Sequence, residues 1–486
     1  MSSNIQAAIS RSLVSSIAVK ILSFFVSTLI VRNSSGADFG KLSINFQLVV
    51  SMSLFLLKEG VRKSALRCGS IENGRIMIWI GHLATCGFII PSVIFGYMHL
   101  VDRESPLIQL SLAVSLWLES FAEIVLFEQA VGRGNLAVRN IAETWASLAS
   151  SLAMLVAILF SLNGSTAFVI SHNVFSIILL LIASYRVSLY EILRAAPFNK
   201  FIFSSTKTEI ITPLTELALM SFQKLFLTEG ERMITLAYLP PEGVGQLGLV
   251  NNAGSLVLRI FFAPIEDIAF TAFTKPDNDR ETRLALLRSV LLVQVSIASL
   301  GIAFGIPLCE AVIYVLYGPE WARQLSVVRM LQFYCVLLMV FALNGSLEAY
   351  YLAVASSKQL RLSLVSQWVV FASLIIGVFI ASPLGAVAIL IGNGISMLVR
   401  IAWCFTVFDS VFDPFHSSFL RVLGTIFTAG VMFQLSLGGF SEFLRDATPL
   451  KKHTLVLALA TFLALGTILI ILPRIKGTLL ELKKKQ

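Results

Sequence analysis

Long uninterrupted apolar runs decide what this chain can become. Leu455 to Leu472 reads LVLALATFLALGTILIIL, without a single charge. Such a run is close to the ~20 apolar residues that a helix needs to cross the hydrocarbon of a bilayer. Similar runs recur along the 486 residues. A membrane β-barrel would instead show segments of about ten alternating residues. Backbone polar groups find no water in lipid, so each run must satisfy its own hydrogen bonds as a helix. The composition agrees: 56% of the residues are hydrophobic and 13% charged, against about 25% charged in a soluble domain. Mean hydropathy is +0.84. The expected class is an all-α polytopic membrane protein.

The apolar runs predict about fourteen spans: 10–31, 42–58, 76–99, 107–128, 141–161, 166–185, 215–238, 246–273, 289–316, 326–354, 362–382, 384–408, 417–438 and 454–473. A twelve-span arrangement results if two of these are re-entrant. Span nine is expected to break near Gly305 and Pro307. The first run carries Lys20 and lacks a small-residue cleavage site, so it reads as a retained helix rather than a signal peptide.

The net charge of +9 does not indicate nucleic acid, because the basic residues sit between apolar runs. They cluster after even-numbered spans: Lys58, Arg62, Lys63, Arg67 and Arg75; Arg133 and Arg139; Arg186, Arg194, Lys200 and Lys207; Lys275, Arg280, Arg283 and Arg288. The positive-inside rule then puts both termini in the cytosol. Arg445, Lys451 and Lys452 break the pattern. Five cysteines (Cys68, Cys86, Cys309, Cys335, Cys404) show no CxxC or metal spacing and read as small apolar fillers.

The polar stretch 189–213 divides the chain. Phe39-Gly40-Lys41-Leu42-Ser43-Ile44 resembles Val244-Gly245-Gln246-Leu247-Gly248-Leu249, each opening the second helix of its half. Glu119 and Glu123 in span four correspond to Asn344 and Glu348 in span ten. A repeat of six helices is an established transporter plan. The expected organisation is an N-lobe over 1–188, a cytosolic linker over 189–213, a C-lobe over 214–408, and two appended helices with a basic tail over 409–486.

Ionisable residues at membrane depth cost ~2.5–3.5 kcal/mol each, so they mark functional positions. Lys58-Glu59-Gly60-Val61-Arg62-Lys63 closes span two, with Glu59 and Arg62 on one helical face. It reads either as a headgroup-binding cluster or as a topogenic cluster snorkelling to the interface. Arg259 lies inside span eight, with Asn251 and Asn252 before it and Glu266 two turns after it; Pro264 is expected to kink the helix between them. This stripe reads as the lining of a polar cavity or as glue between helices. The carboxylates Glu119, Glu123 and Glu348, with Asn344, offer a cation or proton site, or partners for Arg259 or Lys20. Lys224, Glu229, Glu231 and Arg232 make span seven a cavity-facing or broken helix, or displace its boundary. Asn33 and Asn163 open sequons in loops too close to the bilayer for glycosylation. The tail Lys483-Lys484-Lys485-Gln486 places Lys483 and Lys484 where a dilysine retrieval signal of the endoplasmic reticulum would be, or forms a basic stop at the membrane surface.

No P-loop, HExxH or GxSxG motif occurs, and the five histidines are scattered. The reading is therefore neither ATP-driven nor catalytic, with no cofactor and no metal.

Three blocks carry a resemblance. They are FLLKEGVRKSALR (Phe55–Arg67), GERMITLAYL with GVGQLGLVNNAGSLVLRIFFAPIED (within Gly230–Asp267), and FYCVLLMVFALNGSLEAYYLA (Phe333–Ala353). Their order and spacing resemble the eukaryotic RFT-one proteins of the endoplasmic reticulum, within the multidrug/oligosaccharidyl-lipid/polysaccharide exporter superfamily. The residues before Gly230 and the pair Pro240-Pro241 depart from that pattern. The resemblance implies two six-helix lobes related by a pseudo-two-fold about a central cavity, plus two extra helices. It implies movement of a dolichol-diphosphate pentamannosyl oligosaccharide across the endoplasmic reticulum membrane for N-glycosylation, directly as a flippase or as an essential accessory. Arg62, Lys63 and Arg259 would bind the diphosphate; Glu59, Glu119, Glu123, Asn251, Asn252, Glu266, Asn344 and Glu348 would shape or gate the site. The alternatives are an ion-coupled exporter of small amphiphiles and a non-transporting scaffold of the dolichol pathway.

Overall fold

A computed structural model of the chain describes residues 22–40, 44–62, 65, 71–95, 106–129, 137–185, 225, 229–273, 280–355, 357–407, 423–434 and 449–484. The described residues are overwhelmingly helical and contain no strand, as an all-α polytopic membrane protein requires. Seven described helices are long and apolar enough to cross a membrane, and four shorter apolar helices join them. Lys63, Lys20 and Lys224 lie outside the described residues, as do most of the 189–213 stretch and most of span seven.

The chain forms two compact units, Met1–Gly248 and Leu249–Gln486. The division falls inside the helix that begins at Pro241, after the 189–213 stretch.

In the first unit, α1 (Leu22–Arg32) leads to the short α2 (Gly36–Gly40). Then come α3 (Phe46–Phe55), α4 (Ile71–Phe95), α5 (Pro106–Phe127), α6 (Ala137–Leu159), α7 (Gly164–Ala183) and α8 (229–238). Helix α3 continues through a π-helical turn, Leu56–Val61. A dry core gathers Leu57 and Val61 from that turn with Met77 and Ile78 of α4, Ile124 and Val125 of α5, Ala142 and Ala146 of α6, and Leu179 of α7. Small alanines let α6 approach closely, as membrane interfaces demand.

The repeated glycine motif meets itself in this unit. The first turns of α9 (Pro241–Val257) pack backbone against backbone on α2. A methyl on Gly40 would lie 2.8 Å from the Pro241 carbonyl oxygen and 2.9 Å from the Gly245 nitrogen. One on Gly245 would overlap the Gly36 carbonyl.

The second unit continues α9 through a π turn, Leu258–Phe262, into α10 (Ala263–Phe273). Next, α11 (Arg280–Leu300) passes through another π turn, Gly301–Gly305, into α12 (Ile306–Tyr317). The remaining helices are α13 (Pro319–Ala322), α14 (Leu325–Val354), α15 (Ser357–Ile380), α16 (Val387–Cys404), α17 (Leu423–Gln434) and α18 (Pro449–Lys484). Ala269, Phe273, Leu287, Leu291, Leu347 and Tyr350 form the core between α10, α11 and α14. A separate cluster of Phe304, Leu308, Phe433 and Ala460 attaches α17 and α18 to α12.

The structure corrects one sequence expectation about a proline. Span nine does not break at Gly305 and Pro307: Arg280–Tyr317 is one continuous run of helix. The π turn Gly301–Gly305 sits just before Pro307. A wider turn removes regular ladder bonds, so proline's missing N–H costs less there. The same device precedes Pro264, where the π turn Leu258–Phe262 carries the irregularity expected of a proline kink.

Candidate functional site

Each unit assembles its own set of ionic groups at membrane depth. In the first unit, Glu119 and Glu123 of α5 are 1% and 2% exposed. A carboxylate that deep must find partners. Lys58, carried by the π turn of α3, pairs with Glu119 Oε1. His172 of α7 brings Nε2 to 3.2 Å from Glu119 Oε2. Neither of these two atoms has another hydrogen-bond partner. Two lone pairs facing at that separation would repel, so the contact implies a proton on Nε2. The His172 ring lies between Phe168 and Phe175, stacked on both. One turn along α5, Arg139 of α6 donates to Glu123 Oε1 at 2.6 Å and reaches Glu143 at 2.9 Å.

Among the described residues, Glu119 and Glu123 pair with Lys58, His172 and Arg139. Arg62 is half-buried and makes no ion pair among the described residues. Nearer the membrane boundary, Arg75 grips Glu128 through two bonds of 2.7 and 2.8 Å. In α8, Glu229 is buried and held by Arg232 at 2.7 Å.

In the second unit, Arg259 sits in the π turn and bends back along its own helix. Its guanidinium donates to the Asn252 carbonyl at 3.0 Å and to Ser255 Oγ at 2.9 Å. Longer contacts of 3.4 Å reach Asn252 Oδ1 and the Ser255 carbonyl. All four acceptors are neutral. Asn251, beside them, is half-buried.

Glu266 was expected on the same face as Arg259; in the structure the two hold different partners. The inserted residue of the π turn rotates the later part of the helix by about 100° relative to a regular one. Glu266 instead accepts from Gln294 of α11 at 3.3 Å. Gln294 in turn accepts from Ser346 of α14. The Glu266 carboxylate fills the space over Gly345, where a methyl group would overlap it. Gly345→Ala is therefore expected to push Glu266 off Gln294 and to cost about 1–3 kcal/mol. A lowered thermal midpoint of the purified protein in detergent checks this.

On the adjacent face of α14, Glu348 accepts from Arg400 of α16 at 3.2 Å and from Asn344 at 3.5 Å. This ion pair is open, with side chains 34% and 35% exposed. Asn344 is buried, and its Oδ1 has no hydrogen-bond partner among the described residues.

The two halves are thus alike in plan but not in charge. Each has a π turn in its second long helix carrying a basic residue, Lys58 or Arg259. Each has a carboxylate, Glu123 or Glu348, held by an arginine from a later helix. Lys58 meets Glu119; at the matching place in the second half stands the neutral Asn344.

Sequence reasoning missed His172 and Arg400. The former looked isolated because its contact spans 53 positions. The latter had a signal that was passed over, a lone arginine within the apolar run 384–408. Glu59 lies on the π turn, and its side chain is outside the described residues, as are those of Lys483 and Lys484 near the end of α18.

The architecture is similar to that of solved structures. A structure titled lipid II flippase MurJ, inward closed conformation, superposes with a TM-score of 0.63 at 14% identity, covering 94% of this chain and 98% of that one. A multidrug resistance MATE family transporter of the MOP superfamily, inward-facing, gives 0.57 at 13% identity, over 80% and 93%. Both likenesses concern the fold alone. In sequence, a Schizosaccharomyces pombe protein is 26% identical over 80% of this chain and 79% of its own. One from Drosophila melanogaster is 22% identical over 81% and 82%. Both are named Man(5)GlcNAc(2)-PP-dolichol translocation protein RFT1. The family model described as Rft protein matches residues 5–483, a range that takes in nearly every described helix, and this multi-pass membrane protein belongs to that family.

Proposed function

We propose that this protein translocates a dolichol-diphosphate oligosaccharide, of the kind named for its relatives, across the endoplasmic reticulum membrane for N-glycosylation. The carrying observation is Arg259. Lys58, Arg139 and Arg400 are each paired with a carboxylate. Arg259 is held at membrane depth by four neutral acceptors on its own helix. That arrangement orients a guanidinium without neutralising it, and a guanidinium binds phosphate oxygens well. Arg62, in the first unit, makes no ion pair among the described residues, and Lys63 comes next in sequence. Asn251 and Asn252 are suited to hydroxyl groups of the glycan. The paired carboxylates Glu119 and Glu123 then act as internal struts. Glu266, Asn344 and Glu348 tune the second unit, where the open Glu348–Arg400 pair is free to rearrange. In this scheme both termini lie in the cytosol, a reading that the distribution of basic residues supports. No nucleotide enters this scheme.

The test is complementation of N-glycosylation in cells lacking the protein, read against its steady-state level. A lost charge-assisted hydrogen bond is worth about 1.5–3 kcal/mol, so Arg259→Ala should reduce the glycosylation-supporting activity about 10- to 100-fold at normal abundance. Arg259→Lys should retain part of it. Full activity of Arg259→Ala and Arg62→Ala at normal levels would remove the proposed anion site. Purified protein in liposomes separates direct flipping from an accessory role: a scaffold would leave the flipping rate unchanged.

A further inference from the structure

Asn344, Glu348 and Arg400 meet between α14 and α16 of the second unit, and their hydrogen bonding is incomplete. Glu348 accepts from Arg400 at 3.2 Å and from Asn344 Nδ2 at a long 3.5 Å. Asn344 is 8% exposed, yet nothing among the described residues donates to its Oδ1. A buried amide oxygen in that condition opposes folding, because water has been taken from it and nothing put in its place. The ion pair beside it is open, with side chains 34% and 35% exposed. The matching carboxylate of the first unit, Glu123, is sealed at 2%.

Depth decides what the open side faces. Helices α14 and α16 are both long and apolar enough to span. Glu348 lies six residues before the end of α14 at Val354, about 9 Å at 1.5 Å per residue. A glutamate side chain is too short to snorkel over that distance, and a charge turned toward lipid is expensive. The uncovered side of the pair therefore meets water within the span, beside an amide that lacks a donor.

Charge then selects the ligand. Glu348 and Arg400 cancel, and Asn344 is neutral. A metal ion at this place would meet the Arg400 guanidinium, and a phosphate would meet the Glu348 carboxylate; either must break the ion pair to bind. A neutral polyol need not. Each hydroxyl donates one hydrogen bond and accepts others. Neighbouring hydroxyls on a sugar ring can donate to Asn344 Oδ1 and to Glu348 while accepting from Arg400.

We propose that Asn344, Glu348 and Arg400 form a subsite for the hydroxyl groups of a neutral oligosaccharide, with Asn344 Oδ1 as the acceptor that the sugar satisfies. The assignment rests on the translocation reading above, in which Arg259 holds the diphosphate, and it gives the glycan contacts of its own. Asn344 lowers stability in the free protein and gains its missing donor in the complex.

The experiment titrates the purified full chain in detergent with two probes. One is farnesyl diphosphate; the other is the same lipid diphosphate carrying the Man(5)GlcNAc(2) glycan named for the relatives. The native chain should bind the glycosylated probe about tenfold or more tightly than the bare one. Asn344→Leu should lose about five- to tenfold of its affinity for the glycosylated probe and none for the bare one. It should also melt at the native temperature or above, since an unpaired buried oxygen has been replaced by an apolar group of similar size. Glu348→Gln should lose the glycan preference in the same way. Arg259→Ala should weaken both probes by similar factors. Equal native affinity for the two probes would overturn the subsite and leave the diphosphate site standing, whereas binding of neither would remove both. A glycan preference that survives in Glu348→Gln, or in Asn344→Leu, would make the cluster a structural clamp and overturn the proposal as well.

Discussion

Lys58→Ala is expected to leave little folded protein. The substitution strands Glu119, which is 1% exposed, with His172 as its remaining partner at 3.2 Å. Breaking a buried ion pair from one side costs about 3–5 kcal/mol, because the other charge stays behind without compensation. That is a large part of the 5–15 kcal/mol typical of a whole domain. The steady-state level and the thermal midpoint in detergent should both fall sharply. Removing both charges is a different matter. Replacing a buried pair with apolar residues of similar volume is often neutral, so Lys58→Met/Glu119→Leu should recover roughly half or more of the loss. What remains lost is the Nε2–H of His172, left without an acceptor, at about 1–3 kcal/mol. A single variant that melts like the native protein would show that this pair is no strut, and Lys58 would rejoin Arg62 and Arg259 as a candidate for binding substrate.

Gly245→Val is the second large effect. Any side chain there runs into the Gly36 carbonyl, a backbone atom that cannot turn aside. Gly40 has the same constraint from the other side, facing Pro241 and Gly245 at 2.8 and 2.9 Å. The helices must separate, and overpacking of this kind costs about 1–3 kcal/mol or more. Gly243→Ala, two residues earlier, provides the control. A methyl there meets Leu239 and Pro240 at an ordinary 3.5 Å and should be tolerated or slightly stabilising. Comparable melting of the two variants would mean that the crossing of α2 and α9 is loose, with no tight contact between the repeated glycine motifs.

Both effects concern places where the sequence hinted at a feature without saying what it would meet. The glycine motif was visible as a repeat, Phe39–Ile44 against Val244–Leu249; that its two copies touch was not. Glu119 and Glu123 stood out as charges inside an apolar run. Their partners lie 61, 53 and 16 positions away, on α3, α7 and α6. Arg259 and Glu266 illustrate the opposite error. Seven residues put them on one face of a regular helix, and in the structure they hold different partners.

What could be read from the residues alone was whatever lipid imposes on each segment separately. An apolar run of a given length must span, must be helical, and must tolerate few charges, because the bilayer offers no water to any backbone group. The all-α class and most of the spans come from that local demand. The pairing of Lys58 with Glu119 and of Arg400 with Glu348 was decided by the tertiary structure. Many basic residues are equally able to neutralise a given carboxylate. Which one does so depends on helix contacts and on π turns that shift every later side chain round its helix, and no single segment carries that information.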